Sequence, residues 1–376
     1  MKNYFDKFEP SFNNISRRHL GILALGATLS ACGGSGDADE PAAPVANGEV
    51  VPSTWSDAVP NIGNDVFARA YAGVGASGLI YMNGVETVDG NYYYSVLRQY
   101  KSDGTFITIK RLSDLIKQGP EQVAVIEENG ADQILIAVAF SVNSGLINTK
   151  FTAGGYIARL NTASGEMTKL FESSTICPGG LARDTAGNLY TIDMKTGDVL
   201  QLSAGKNEIT VLYSAKPGKS ASADYDFVWD AKCTVAVTTD GTVYATLVTG
   251  GHVASSASYD DGRWIVRLRK GQADRIQPGL SDRKEIRGFG AHENDVFCLV
   301  HDGQNNTLVR KIDATGAIST VAGTPGSNQT TQFGSPGALG RTTRWIDLSP
   351  DGRTIHLRQE AQDSPKFYSV LLPAHS

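Results

Sequence analysis

An all-β fold of six repeated four-stranded antiparallel units is what this 376-residue sequence predicts, on three observations. First, Tyr81, Ile136, Tyr190, Tyr244, Phe297 and Ile355 recur at intervals of 53 to 58 residues, each a few residues after a polar turn. Second, each is followed by another apolar run: Val96-Leu97, Ile157-Ala158, Val199-Leu200, Ile265-Val266, Leu308-Val309 and Tyr368-Ser369-Val370. Third, the punctuation between runs is Gly, Asp and Asn, with no helical periodicity. A repeat of this length made only of strands predicts a six-bladed β-propeller of four-stranded antiparallel blades. A seven-bladed ring and a pair of β-sandwiches are the alternatives.

The first 32 residues read as an address. Arg17-Arg18 precede an apolar stretch, Leu20 to Leu29, that is too short to span a bilayer core and fits the apolar part of a signal peptide. Ser16-Arg17-Arg18-His19-Leu20 resembles a twin-arginine export signal, and Leu29-Ser30-Ala31-Cys32 resembles a lipoprotein cleavage box. That resemblance implies that Cys32 is lipidated and becomes the first residue of an exported cell-envelope lipoprotein. Gly33 after it resembles lipoproteins kept on the periplasmic side of an outer membrane.

Residues 33–60 are rich in Gly, Ala, Pro and Asp and lack apolar periodicity, the composition of a flexible tether. A lipid anchor followed by a tether holds a soluble body on a membrane without a spanning helix. The propeller is expected over 61–376. Val66–Tyr71 is expected to supply the innermost strand of the first blade, with ring closure by that segment or by the last strand, 367–372.

Within one unit the pattern is clearest at 177–213. Gly180-Leu181-Ala182, Leu189–Ile192, Val199–Leu202 and Ile209–Tyr213 read as four short strands separated by turn residues. The stretch Cys177-Pro-Gly-Gly-Leu-Ala-Arg-Asp-Thr-Ala-Gly-Asn-Leu-Tyr-Thr-Ile-Asp193 resembles the NHL repeat, and Val321-Ala322-Gly323 with the Gly-rich segment after it resembles the linker between such repeats. The resemblance is close over 177–202 and 318–352 and implies a six-bladed propeller.

The formal net charge of −5 becomes about −7 once the leader is removed, and no Lys/Arg stripe is present, which argues against a nucleic-acid partner. The odd set Cys177, Cys233 and Cys298 argues against a disulfide framework and for buried thiols, with a Cys177–Cys233 bridge as the alternative. Gly73-Val74-Gly75-Ala76-Ser77-Gly78 looks like a dinucleotide fingerprint, but no helix pattern follows, so it reads as a turn.

In an antiparallel blade the first and third turns share one face of the ring, and the second turn and the link to the next blade share the other. The first face reads as tight turns. The second has long connections at Met82–Tyr92, Ser141–Gly155, Thr249–Arg263, Leu112–Glu121, Tyr213–Val228, Gln277–Arg287 and Thr320–Arg344, and long connections on a rigid scaffold are where binding concentrates. Candidate ligand-binding residues there are Lys232, Arg287, Arg344 and Trp345, with His252 and Trp264. The cations suit an anionic group, unless carboxylates such as Asp230, Glu285 and Asp347 neutralise them.

The SMP-30/gluconolactonase family is the fair test for calcium chemistry. Where its motif has Asn and a final Asp, this chain has Arg344 and Gln359, which disfavours a calcium site. No cofactor and no metal are expected. The expectation is a tethered module that binds a protein, glycan or small ligand on its long-loop face. The alternative is an exported propeller enzyme, either a lactonase or hydrolase of the SMP-30/gluconolactonase type or a lyase resembling streptogramin lyase.

Overall fold

The computed structural model describes residues 48–52, 72–75, 77–88, 92–101, 105–114, 121–128, 130–143, 149–193, 196–206, 208–214, 234–246, 265–276, 284–302, 306–324, 339–340, 343–349, 351–359 and 366–372. All of them fall in one compact unit, Ala43–Ser376. Six four-stranded antiparallel sheets form a six-bladed propeller.

Blade 1 is β2 (Ala72–Val74), β3 (Ile80–Val88), β4 (Tyr92–Tyr100) and β5 (Phe106–Asp114). Blade 2 is β6 (Glu121–Glu128), β7 (Ala131–Asn143), β8 (Thr149–Asn161) and β9 (Met167–Ser173). Blade 3 comprises β10 (Pro178–Arg183), β11 (Leu189–Asp193), β12 (Val199–Leu202) and β13 (Ile209–Tyr213). Blade 4 follows with β14 (Val235–Val237), β15 (Val243–Thr246), β16 (Ile265–Arg269) and β17 (Gln272–Ile276). Blade 5 holds β18 (Lys284–His292), β19 (Asp295–Asp302), β20 (Asn306–Ile312) and β21 (Ile318–Ala322). Blade 6 takes β22 (Thr343–Leu348), β23 (Thr354–Gln359) and β24 (Lys366–Leu371) from the end of the chain and β1 (Glu49–Pro52) from its beginning, in the order β1-β24-β23-β22.

That last sheet corrects two expectations. The ring is closed by β1, which pairs Val50 with Val370 and Pro52 with Tyr368. The closing strand therefore lies inside the segment read as tether, neither at 61–76 nor in the final strand alone. Its sequence, Glu-Val-Val-Pro, is β-branched at the centre, and Val50 is fully buried among Val321, Leu357 and Val370. The innermost strand of blade 1 is Ala72–Val74; Val66–Tyr71 lies outside the described residues. The Gly73–Gly78 segment is the end of β2 and its turn, with Gly75 N–H donating to Leu79 O at 2.9 Å and Gly78 N–H to Gly75 O at 2.9 Å.

The innermost strands β2, β6, β10, β14, β18 and β22 pack side by side around the ring, with β22 returning against β2. Between blades lies the core. Tyr81 of blade 1 packs on Ile134 and Ile136 of blade 2, Tyr190 on Val243 and Ala245, Tyr244 on Val296 and Cys298, and Phe297 on Ile355 and Leu357. All six repeat positions picked from the sequence are buried second-strand residues. Two are one register off, however. The residues equivalent to Tyr81 and Tyr190, facing the next blade, are Leu135 and His356, whereas Ile136 and Ile355 face the preceding one. Side chains alternate across a strand, so a slip of one residue exchanges faces.

Two of the expected long loops are strands. β3 and β4 stay paired out to Val88 opposite Tyr92, and β7 and β8 to Asn143 opposite Thr149. β7 has 13 residues where β11 has 5, about 25 Å more extended chain at the usual rise per residue. A bulge between Ala139 and Ser141 bends the second hairpin. Thr249–Arg263 lies outside the described residues.

Candidate functional site

The tight-turn end of the ring is occupied by its own bracing. Each second-strand residue facing the next blade has a cross-strand partner on the third strand: Tyr81 with Gln99, Leu135 with Arg159, Tyr190 with Gln201, Tyr244 with Arg267, Phe297 with Lys311, and His356 with Ser369. Where the pair is Tyr and Gln, a carboxylate completes it. Gln99 Nε2 donates to Tyr81 OH at 3.0 Å, and that hydroxyl donates to Asp132 Oδ2 at 2.7 Å. Gln201 Nε2 donates to Tyr190 OH at 3.2 Å, which donates to Asp184 Oδ2 at 2.8 Å. Burial and the Asp184 bond push the Tyr190 phenol up to about 12, so it stays a donor. Arg267 forks onto Asp274 at 2.6 Å, and Lys311 meets Asp295 at 2.5 Å. Asp193, the last residue of the NHL-like stretch, accepts from Cys177 N–H at 3.0 Å and Thr196 Oγ1 at 3.1 Å, which makes it a structural clamp.

On the innermost strands the residue opposite each of those large side chains is small: Gly73, Ala124, Ala182, Ala236 and Gly290. Blade 6 departs from this rule by pairing Asp347 with His356. Asp347 Oδ2 accepts from Val74 N–H of blade 1 at 2.7 Å, and Oδ1 from Leu348 N–H at 2.9 Å. Burial nevertheless raises its carboxyl to about 7, against the lowering effect of those two bonds. Burial also lowers the His356 imidazole to about 4, with Asp351 pulling the other way, so the ring is neutral at physiological pH. Its Nδ1 lies 3.5 Å from Ser369 Oγ. The turn after β2 is clasped from its other side by Asp132, which accepts from Ser77 Oγ and Tyr81 OH. From sequence alone Asp347 reads only as a partner for a cation, and His356 has no role. The signal was an acid and an imidazole where every other blade has a small residue and an apolar or phenolic one.

The opposite end, where the innermost strands begin, carries Arg287, Arg344 and Trp345 of the residues singled out from sequence. Ile286 pairs with Val300 and Gly288 with Leu299, so Arg287 is the extra residue of a bulge. Thr343 pairs with Gln359 and Trp345 with Arg358, so Arg344 is the extra residue of a second one. Both lie three positions before the residue opposite the inter-blade side chain, Gly290 and Asp347. A third bulge puts Gly179 and Gly180 at the corresponding place in blade 3. Counting back by the same offset gives Cys233 in blade 4, not Lys232. Lys232, His252 and Trp264 lie outside the described residues, as does Cys32, and of Arg287, Arg344 and Trp345 only the backbone is described. Cys177 and Cys298 are buried, and burial raises the Cys298 thiol to about 12, which makes it unreactive. Cys233 lies outside the described residues, and a bridge to it with it.

Among the described residues no group of three or more His, Cys, Asp or Glu side chains is placed to hold a metal ion, and no helix is long and apolar enough to cross a membrane.

The chain is thus a six-bladed β-propeller. No family model and no curated protein matches it. Several solved structures align with it over most of its length. Virginiamycin B lyase from Staphylococcus aureus aligns over 87% of this chain and 99% of its own at 11% identity and a TM-score of 0.46. A protein of unknown function from Bacteroides thetaiotaomicron covers 86% and 76% at 15% identity and a TM-score of 0.49. Regucalcin, a calcium-binding protein from Agrobacterium tumefaciens, covers 88% and 96% at 13% identity and a TM-score of 0.48.

Proposed function

We propose that this protein is an exported, lipid-tethered binding module whose partner, a protein, glycan or small molecule, meets the face of the second turns and inter-blade links. The observation that carries this is the pair of hairpins β3–β4 and β7–β8. They carry the described paired strands of two neighbouring blades farther on that face than those of blade 3, while several polar side chains at the tight-turn end brace one another. Long paired strands present main chain and side chains on a rigid frame, which limits the ordering cost of binding.

Lipidation at Cys32 would hold the ring by its rim. About 16 residues separate Cys32 from Gly48, and a Gly/Ala/Pro-rich chain of that length has a root-mean-square span of about 22 Å. Gly48 N–H donates to Val321 O at 3.2 Å, at the junction of the outermost strands of blades 5 and 6.

The test compares the full chain with a variant in which residues 85–95 and 140–154 are each replaced by an Asn-Gly turn. The variant should keep a cooperative melting transition. The full chain should capture, from envelope extract, a component that excess full chain competes away and that the trimmed chain does not capture. Equal capture by both would overturn the reading, as would no competable capture at all. Mass spectrometry of the envelope-derived protein should find a diacylglyceryl group on Cys32, and its absence would remove the tether.

A further inference from the structure

We propose that the closing strand β1 is exchangeable between copies of this chain, so that residues 48–52 of one copy seal blade 6 of a second. This interaction depends neither on which face binds a partner nor on the anchor.

The slot that takes β1 is built by two blades. Gly48 N–H donates to Val321 O, on the outermost strand of blade 5, at 3.2 Å. Glu49, Val50, Val51 and Pro52 then pair with Leu371, Val370, Ser369 and Tyr368 of β24. A Cβ added at Gly48 would lie 2.5 Å from that Val321 oxygen and 2.9 Å from Val370 Cγ1, so the slot excludes a side chain there. Two positions on, Val50 is fully buried among Val321, Leu357 and Val370. A strand that fits needs glycine at the first place and a compact β-branched side chain at the third. A second copy meets both demands by identity.

β1 is also lightly held by its own ring. Four residue pairs along one edge join it to blade 6, and of its described side chains only Val50 is fully buried. Pro52 and Ala72, where β1 ends and β2 begins, are 72 − 52 = 20 positions apart. That is about 65 Å of extended chain, whereas crossing the four strands of a blade takes about 14 Å. The connection is long enough to serve a neighbouring ring as well as its own. Exchange keeps every contact and changes only which chain supplies it, a low-cost route to a symmetric dimer. The competitor is the strand in cis, whose effective concentration on such a connection is about millimolar, so exchange belongs to crowded copies.

The test uses two full-length variants, Glu49→Cys and Leu371→Cys, at exposed and directly paired positions. They are mixed at about 10 µM and at about 1 mM, below and at that effective concentration. Urea just under the unfolding transition lets β1 come and go before the mixture is oxidised. Peptide mapping should find a disulfide between chains that joins the two substituted positions, about tenfold more abundant at the higher concentration. Adding Val50→Asp to the Glu49→Cys chain should lower its yield about tenfold, because the charge cannot enter the apolar socket. Chance collision would leave that yield unchanged. One chain carrying both cysteine substitutions reports closure in cis and should link within itself at the lower concentration. Linkage only within single chains would overturn the proposal, as would an intermolecular link that survives Val50→Asp. No link in either arrangement would overturn the β1–β24 pairing on which it rests.

Discussion

Replacing Asp347 with Asn should stabilise the propeller at alkaline pH, the reverse of what a substitution at a part-buried hydrogen-bonded residue usually does. The ordinary carboxyl value is 3.8, and burial at the seam between β22 and β2 raises it to about 7. Between those values the folded chain holds a proton that the unfolded chain has released. Stability therefore falls as pH rises from about 4 to about 7, and then levels off for this group. A span of about three units corresponds to about 4 kcal/mol. Asn keeps a carbonyl acceptor for Val74 N–H but must place an NH2 group, at a cost of about 1 kcal/mol. The variant should thus exceed the parent by about 3 kcal/mol at pH 8 and match it within about 1 kcal/mol at pH 4.5. Urea unfolding followed by tryptophan fluorescence across that range measures the difference directly. A difference that does not vary with pH, or a variant less stable than the parent at pH 8, would refute the reasoning.

The other expectations concern the same frame. His356 is depressed to about 4 from 6.5, so it should withdraw about 3 kcal/mol as pH falls through that window. His356→Phe, which restores the apolar type found at Phe297, should abolish that acid sensitivity in a pH series of melting curves. Asp347 and His356 are cross-strand partners, so the double variant should depart from additivity. Tyr190→Phe leaves Asp184 and the Gln201 amide short of a partner and should cost about 1 to 2 kcal/mol in urea unfolding. Gly75→Ala drives a methyl group into the Asp132 carboxylate and should cost about 2 kcal/mol in the same assay. Val50→Asp places a charge in a fully buried site and should release β1. Rapid hydrogen exchange at the backbone amides of β24 would report it, and unchanged protection there would contradict the closure described above.

The scaffold was legible because a strand repeat writes its period directly into the sequence. The four strands of blade 3 fall where Gly180, Leu189, Val199 and Ile209 mark them. Ile136 and Ile355 misled by one position because apolar residues occupy both faces of a blade buried on two sides, and the period-2 signal vanishes there. β1 was hidden for a different reason. Four residues in a Gly/Pro-rich context carry too little pattern, and their partner lies at the other end of the chain. The hairpins β3–β4 and β7–β8 read as loops because strands rising above the ring need no buried stripe. At the site, Arg287 and Arg344 could be picked as cations, but a bulge depends on pairing and only the structure reveals it. Asp347 and His356 could not be joined until β22 was laid against β23.

The pairing of β1 with β24 also has a consequence in time. Val50 and Val370 are about 320 residues apart, so β1 finds its partner only after about 320 further residues have been synthesised, a long-range contact of the kind that slows folding. Until then β24 has an open edge, and such an edge is a template for pairing with another chain. Whatever protects the nascent protein has to do so until β24 emerges, and a chain cut before β24 would leave the ring unsealed.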